Sequence, residues 1–253
     1  MWAFVVALTL LNASLIAETQ HFTDHPYILG ELKLDSYVQL ESNKVFRSLN
    51  MSNEKASITG KTTLSFADLL YASFSGSSMR GNTDNGFANA FTELVFEGYM
   101  KHNLRRSWQE INAGYIRHMY PNQSNQTYGE LYITYQLNGY NLSPYVSYYH
   151  QMNQTIKPST YNLSASNQTK QRRDNIETGI SYHYDNATMY ANMGDWKDTG
   201  RYYKLGASYC IYAYTFSYEV INTKDYNNVK DTQHVVRLSY ASDAKLPFTG
   251  LID

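Results

Sequence analysis

Residues 212–220 read Tyr-Ala-Tyr-Thr-Phe-Ser-Tyr-Glu-Val. In an extended chain this puts Tyr212, Tyr214, Phe216, Tyr218 and Val220 on one face, and Ala213, Thr215, Ser217 and Glu219 on the other. The first face is aromatic and apolar; the second is small or charged. The pattern recurs at Ile176, Ile180, Tyr182 and Tyr184 against Glu177, Gly179, Ser181 and His183. It recurs at Leu131, Ile133, Tyr135 and Leu137 against Glu130, Tyr132, Thr134 and Gln136, and at Val236, Leu238 and Tyr240 against Arg237 and Ser239. Each such segment reads as a strand with one apolar face.

Alternation alone fits a soluble sandwich, with the apolar face inward, or a membrane barrel, with the apolar face on lipid. Length decides. A membrane-crossing strand needs about 9–11 residues, against about 5–6 for the usual globular strand. The segments read here span 32–41, 55–64, 67–77, 91–101, 107–118, 127–138, 141–151, 174–184, 187–195, 201–210, 212–222 and 232–241. They predict an all-β, antiparallel up-and-down transmembrane barrel of about twelve strands, the even number that bacterial barrels adopt.

Connections alternate in length. Asn138-Gly139, Asp185-Asn186 and Cys210-Ile211 read as tight turns, whereas residues 152–173, 196–200 and 222–231 are longer and polar. Short turns on one rim and long loops on the other is the outer-membrane asymmetry. Tyrosine at predicted strand ends, namely Tyr115, Tyr120, Tyr145, Tyr148, Tyr149, Tyr202, Tyr203 and Tyr212, suits interfacial girdles.

Composition narrows the function classes. The 253 residues include 25 Tyr but only 3 Trp and 10 Phe, and the formal net charge is −1. That balance gives nucleic acid no basic surface, so nucleic-acid binding is excluded. Cys210 is the single cysteine, which rules out an internal disulfide and a thiolate metal site. It reads as a small wall residue.

The N-terminus reads as an address. Residues 2–11 are apolar except for Thr9, and Ala13-Ser14-Leu15-Ile16-Ala17 precedes the polar Glu18-Thr19-Gln20. The stretch suits the core of a signal peptide ending at Ala17, although no Lys or Arg precedes Lys33. The expected organisation is a signal peptide over 1–17, a leader over 18–31, the barrel over 32–241 and a tail over 242–253.

Residues 37–77 carry a family resemblance. Tyr37-Val38-Gln39-Leu40, then Phe46-Arg47-Ser48 with Leu49-Asn50-Met51-Ser52, then Leu70-Tyr71-Ala72-Ser73-Phe74-Ser75-Gly76-Ser77 resemble the opening of the porin-like family known as Gcw_chp proteins, or the TorF family. Residues 110–121, EINAGYIRHMYP, resemble that family's following strand, and residues 128–149 continue the match. Ser48 stands where the family usually has Gly, and a tail follows Tyr240 where members end near a terminal Phe, a place that Tyr240 or Phe248 would take. The resemblance implies an outer-membrane channel without fixing its solute.

Catalytic chemistry is not expected. The seven His include one pair at metal-type spacing, His21 and His25, and that pair lies in the leader. No cofactor and no metal are expected. By parity, Glu93, Glu97, Glu110, Glu130, Glu177 and Glu219, with Lys204 and Arg237, fall on the interior face as candidate pore-lining residues. The sequence therefore reads as a porin-like channel for small polar solutes or ions with weak cation preference, its other partner being outer-membrane lipid. The alternative is a structural or adhesive barrel with a filled interior, whose long loops, above all 152–173 with Lys157, Lys170, Arg172 and Arg173, contact an external ligand.

Overall fold

The computed structural model describes residues 28–46, 49–52, 54–79, 92–104, 108–122, 127–139, 141–152, 174–196, 200–224 and 230–249. Twelve antiparallel strands, each beside its neighbours in sequence, close into a barrel through pairing of the first with the last. They are β1 (Ile28–Glu41), β4 (Ser57–Phe66), β5 (Leu70–Ser78), β6 (Thr92–Asn103), β7 (Gln109–Met119), β8 (Tyr128–Leu137) and β9 (Leu142–Met152). Then follow β10 (Asp174–Tyr184), β11 (Ala187–Trp196), β12 (Gly200–Ile211), β13 (Tyr214–Lys224) and β14 (Lys230–Thr249). Closure leaves no free sheet edge, as a barrel in lipid requires. The expected signal peptide, with His21 and His25, and the loop over 153–173 lie outside the described residues.

The period-two pattern becomes two surfaces. Along β12, Tyr203, Leu205, Tyr209 and Ile211 are exposed outside, while Tyr202, Lys204, Gly206 and Ser208 turn inward. A solvent-exposed row that includes Leu205 at 65% and Ile176 at 56% would be a liability in water and is at rest in hydrocarbon. Polar residues line the other side: the buried set includes Ser57, Ser65, Ser73, Ser77, Ser143, Ser147 and eight carboxylates or amides from strands.

Most strand limits shift by one to a few residues from the sequence reading, and three of the differences have a visible cause. β1 starts at Ile28, before the expected 32, and β14 runs on to Thr249 through what was read as a tail, because the two termini pair residue for residue from Gly30↔Phe248 to Glu41↔Arg237. The turn after β12 is Tyr212-Ala213 rather than Cys210-Ile211, since Tyr212 takes a left-handed φ of 54° and is 97% exposed at the rim. Ala67 and Asp68, with φ of 54° and 52°, turn the chain between β4 and β5, so β5 begins later than read.

Between β1 and β4 the chain enters the barrel. Ser42 stays on the wall through its amide to the Val236 carbonyl at 2.9 Å, and the next residues then form a two-stranded hairpin, β2 (Val45–Phe46) and β3 (Leu49–Asn50). Val45 packs on Ile221 and Val235, the apolar inward residues of β13 and β14. Met51 packs with Met79, Tyr120 and Tyr128, and Phe46 joins them. These two clusters are apolar cores inside an otherwise polar interior. Burying Val45 alone stabilises the insertion by about 1.5–3 kcal/mol.

Candidate functional site: the interior wall

Polar side chains fix the hairpin where apolar packing leaves off. Asn43 donates to Gln233 Oε1 at 3.0 Å, and Ser52 donates to Asn43 Oδ1 at 2.7 Å while accepting from the Lys44 amide at 2.8 Å. The Lys44 ammonium reaches Glu93 Oε2 at 2.6 Å and also bonds Ser77. Glu93 further accepts from the Tyr120 hydroxyl at 2.9 Å and pairs with His118 Nδ1 at 3.1 Å. His118 Nε2 lies 3.8 Å from Glu130, and its ring is held between Tyr128 at 4.6 Å and Phe46 of the hairpin at 5.3 Å. Four strands, β5 to β8, and the inserted segment thus meet at one buried charged cluster.

Elsewhere the carboxylates are tied around the wall. Lys61 on β4 pairs with Glu97 on β6 at 3.1 Å, and Lys101 with Glu110 at 2.6 Å. Arg237 on β14 holds two carboxylates, Glu41 on β1 at 3.1 Å and Glu219 on β13 at 2.6 Å. Glu177 is held differently: the Tyr145 hydroxyl donates to it at 2.7 Å and the Tyr202 hydroxyl donates to its other oxygen. Lys204 lies over the Tyr202 ring, 5.3 Å from its centroid.

A repeated device supports these bonds. Tyr132 on β8 lies across Gly114 on β7, its cross-strand partner, and donates to Glu97 on β6 at 2.8 Å. Tyr202 on β12 lies across Gly194 on β11 to reach Glu177 on β10, and Tyr190 on β11 lies across Gly206 on β12 to reach Glu219 on β13. A Cβ at any of the three glycines would strike the ring, so glycine here is required by close approach. The gap left by the missing side chain lets the ring lie against the wall rather than stand in the bore.

All eight sequence-selected residues turn inward, and they fall into separate groups. Glu93 and Glu130 join at His118; Glu219, Arg237 and Glu41 form the second group; Glu97, Glu110 and Glu177 each have their own partners; Lys204 lies next to Glu177's partner Tyr202. The sequence reading gave the six glutamates only Lys204 and Arg237 as counter-charges; Lys44, Lys61 and Lys101 are added by the structure. Lys61 and Lys101 share inward parity with Ser57 and Glu97 and were legible by that rule, whereas Lys44 sits in the hairpin, where strand parity gives no guide.

Half of the expected girdle is corrected. Tyr115, Tyr148 and Tyr203 face outward and Tyr212 is exposed in the turn at the rim, but Tyr145, Tyr149 and Tyr202 face inward, on the parity of Ser147 and Lys204, and Tyr120, just past β7, is buried with Met51. Cys210 lies on the inward face near the short-turn rim, its thiol on the Tyr212 carbonyl at 3.3 Å. Ser181, His183 and Thr188 make a short hydrogen-bonded chain of 3.2 and 3.0 Å, with a hydroxyl where a hydrolase would place an orienting carboxylate or amide. A cavity of about 630 Å³ lies against the β4–β8 wall, where the small outward residues Ala72, Gly98 and Ala113 leave a dent bordered by Leu64, Met100 and Leu131 on the lipid side, away from the charged groups.

Solved structures give the fold an external comparison. The "KdgM porin" structure superposes with a TM-score of 0.55 at 13% identity, covering 82% of this chain and 98% of that one. The outer membrane channel from Pseudomonas putida F1 superposes with a TM-score of 0.50 at 11% identity, covering 88% and 100%. Outer membrane phospholipase A from Escherichia coli reaches a TM-score of 0.47 at 15% identity, covering 92% and 97%, too slight a likeness to carry an argument. No curated protein matches the chain. The closed twelve-stranded barrel with an apolar exterior is that of a bacterial outer-membrane β-barrel protein. Residues 30–208 match the family model described as "Bacterial protein of unknown function (Gcw_chp)", and the chain belongs to that family.

Proposed function

We propose that the barrel is a porin-like channel for passive diffusion of small polar solutes or ions across the outer membrane, narrowed at its long-loop end by the β2–β3 hairpin. One observation carries this reading: the inner wall is polar around the whole circumference, with its large rings laid over glycines and its charges tied to the wall by Tyr, Lys and Arg. A barrel built only as a scaffold would gain more by filling that space with apolar side chains. The likeness to the KdgM porin and the Pseudomonas putida channel supports it at the level of fold.

Charge selectivity follows from the pairing. Glu93, Glu97 and Glu110 are each matched by a lysine, so their field in the bore is small. Glu41, Glu219 and Glu177 share Arg237 and Lys204, which leaves a modest negative surplus and a weak preference for cations. The pore-lining residues in this reading are Glu97, Glu110, Glu177, Glu219, Lys204 and Arg237, while Glu93 and Glu130 act behind them by anchoring the hairpin.

The inserted hairpin favours a second reading, a barrel closed by its own loop, since Val45 and Met51 plug apolar sites within it. Swelling of proteoliposomes separates the two. A channel admits a pentose and the vesicles swell at a rate that falls with solute size; a closed barrel leaves them at the rate of protein-free vesicles.

A further inference from the structure

One register row of the interior carries four tyrosines. Tyr71 on β5 pairs with Tyr99 on β6, Tyr99 with Gly114 on β7, Gly114 with Tyr132 on β8, Tyr132 with Tyr149 on β9, and Tyr149 with Asn175 on β10. Every member has inward parity. Because strands in a barrel are tilted and staggered, a row followed from strand to strand climbs along the axis. Tyr71 is the second residue of β5, beside the short turn at Ala67-Asp68, and Asn175 is the second residue of β10, at the long-loop rim. The row therefore runs from one rim to the other.

The rings are close enough to form one ribbon. Centroids lie 4.5 Å apart for Tyr71 and Tyr99, 6.5 Å for Tyr99 and Tyr132, and 5.7 Å for Tyr132 and Tyr149. Gly114 is the gap that lets Tyr132 lie across β7 toward Tyr99. Unspent polar groups flank the upper end: Nδ2 and Oδ1 of Asn175, and Nε2 and Oε1 of Gln151, which is inward on β9 next after Tyr149, have no hydrogen-bond partner although both residues are buried. Buried amides left without partners are unfavourable, so this end of the row is built for a molecule that brings donors and acceptors.

Resting on the channel reading above, we propose that the tyrosine row is a track for neutral carbohydrates, with Asn175 and Gln151 forming the recognition end. Sugar rings combine what the row asks for. Their C–H faces carry partial positive charge and pack on the negative faces of aromatic rings, while their hydroxyls both donate and accept. The four tyrosines, Gly114, Asn175 and Gln151 are all uncharged, so the row offers an acidic sugar no ion pair and suits a neutral one.

The test uses the full chain refolded in detergent, titrated with maltohexaose by calorimetry, and the same protein in planar bilayers with maltohexaose added to one side. Binding is expected, with transient closures of the current, and sorbitol, which has hydroxyls but no ring, gives neither. Replacing Tyr149 with Leu weakens binding about tenfold, Tyr149→Phe retains it, and Asn175→Leu, which leaves all four rings in place, weakens it independently of any effect of ring loss on folding. Conductance without binding or closures overturns the carbohydrate track and leaves the channel standing. Binding in detergent without conductance keeps the track and overturns the channel. Tighter binding of an oligogalacturonate than of maltohexaose overturns the neutral class.

Discussion

Lys44→Met removes the hairpin's charged tie to Glu93 while keeping most of the side chain's length. The Lys44 ammonium lies 2.6 Å from Glu93, with side-chain exposures of 12% and 4%, so this is a buried pair. Breaking a buried pair by removing one partner costs about 3–5 kcal/mol. Glu93 still keeps the Tyr120 hydroxyl at 2.9 Å and His118 at 3.1 Å, which places the cost at the lower end, about 3 kcal/mol. At 1.4 kcal/mol per factor of ten, the ratio of docked to released hairpin falls about a hundredfold. Val45 and Met51 still favour docking, so the segment exchanges rather than leaves. Single-channel recording of the substituted protein should show a larger, noisier unitary conductance than the parent. Lys33→Met is the control: its pair with Asp68 at 2.9 Å is exposed, at 27% and 64%, and contributes about 0–1 kcal/mol. Equal unitary conductance in parent and Lys44→Met, with unchanged refolding, would refute the claim that the hairpin narrows the bore.

Two further substitutions test the faces of the wall. Ile180 is 40% exposed on the outer face of β10, so Ile180→Arg should cost about 2–4 kcal/mol in a detergent-refolding titration, against about 1–2 kcal/mol for Glu177→Ala on the inner face, which loses two phenol hydrogen bonds. Equal penalties would contradict that orientation. Glu177→Gln should move the reversal potential across a salt gradient toward non-selectivity more than Glu130→Gln does, because Glu130 is 1% exposed beside His118 while Glu177 is held by two phenols and is less buried. The difference should widen at low salt, as the Debye length grows from about 10 Å at 0.1 M to about 30 Å at 0.01 M. A larger shift from Glu130→Gln would move the selectivity groups to the hairpin cluster.

The barrel was legible in the sequence because lipid and the polar interior demand opposite residues at successive positions. Segments such as 174–184 keep that alternation for the length of a crossing, and the structure begins and ends β10 at those same residues. Tight turns were less legible where the signal was conformational: Tyr212 carries no composition cue for its left-handed φ. Tyrosine was ambiguous for a physical reason. Its ring suits an interface and its hydroxyl suits a carboxylate, so Tyr149 and Tyr148 look alike until parity assigns one to the bore and the other to the outside. The hairpin was hidden because Val45 and Met51 are buried against residues distant in sequence, Ile221 and Val235 for one and Tyr120 and Tyr128 for the other. Local periodicity carries no record of such contacts. The same holds for the Gly194–Tyr202–Glu177 arrangement, which spans three strands and shows only in register.

A channel requires an interior open to solutes. Planar-bilayer recording of the refolded full chain, its folded state checked by heat-modifiable migration, decides whether this one is. An open interior gives discrete conductance steps that persist across salt concentrations with a weak preference for cations. A folded barrel that produces no steps at any salt concentration would contradict it and leave the barrel closed by its hairpin.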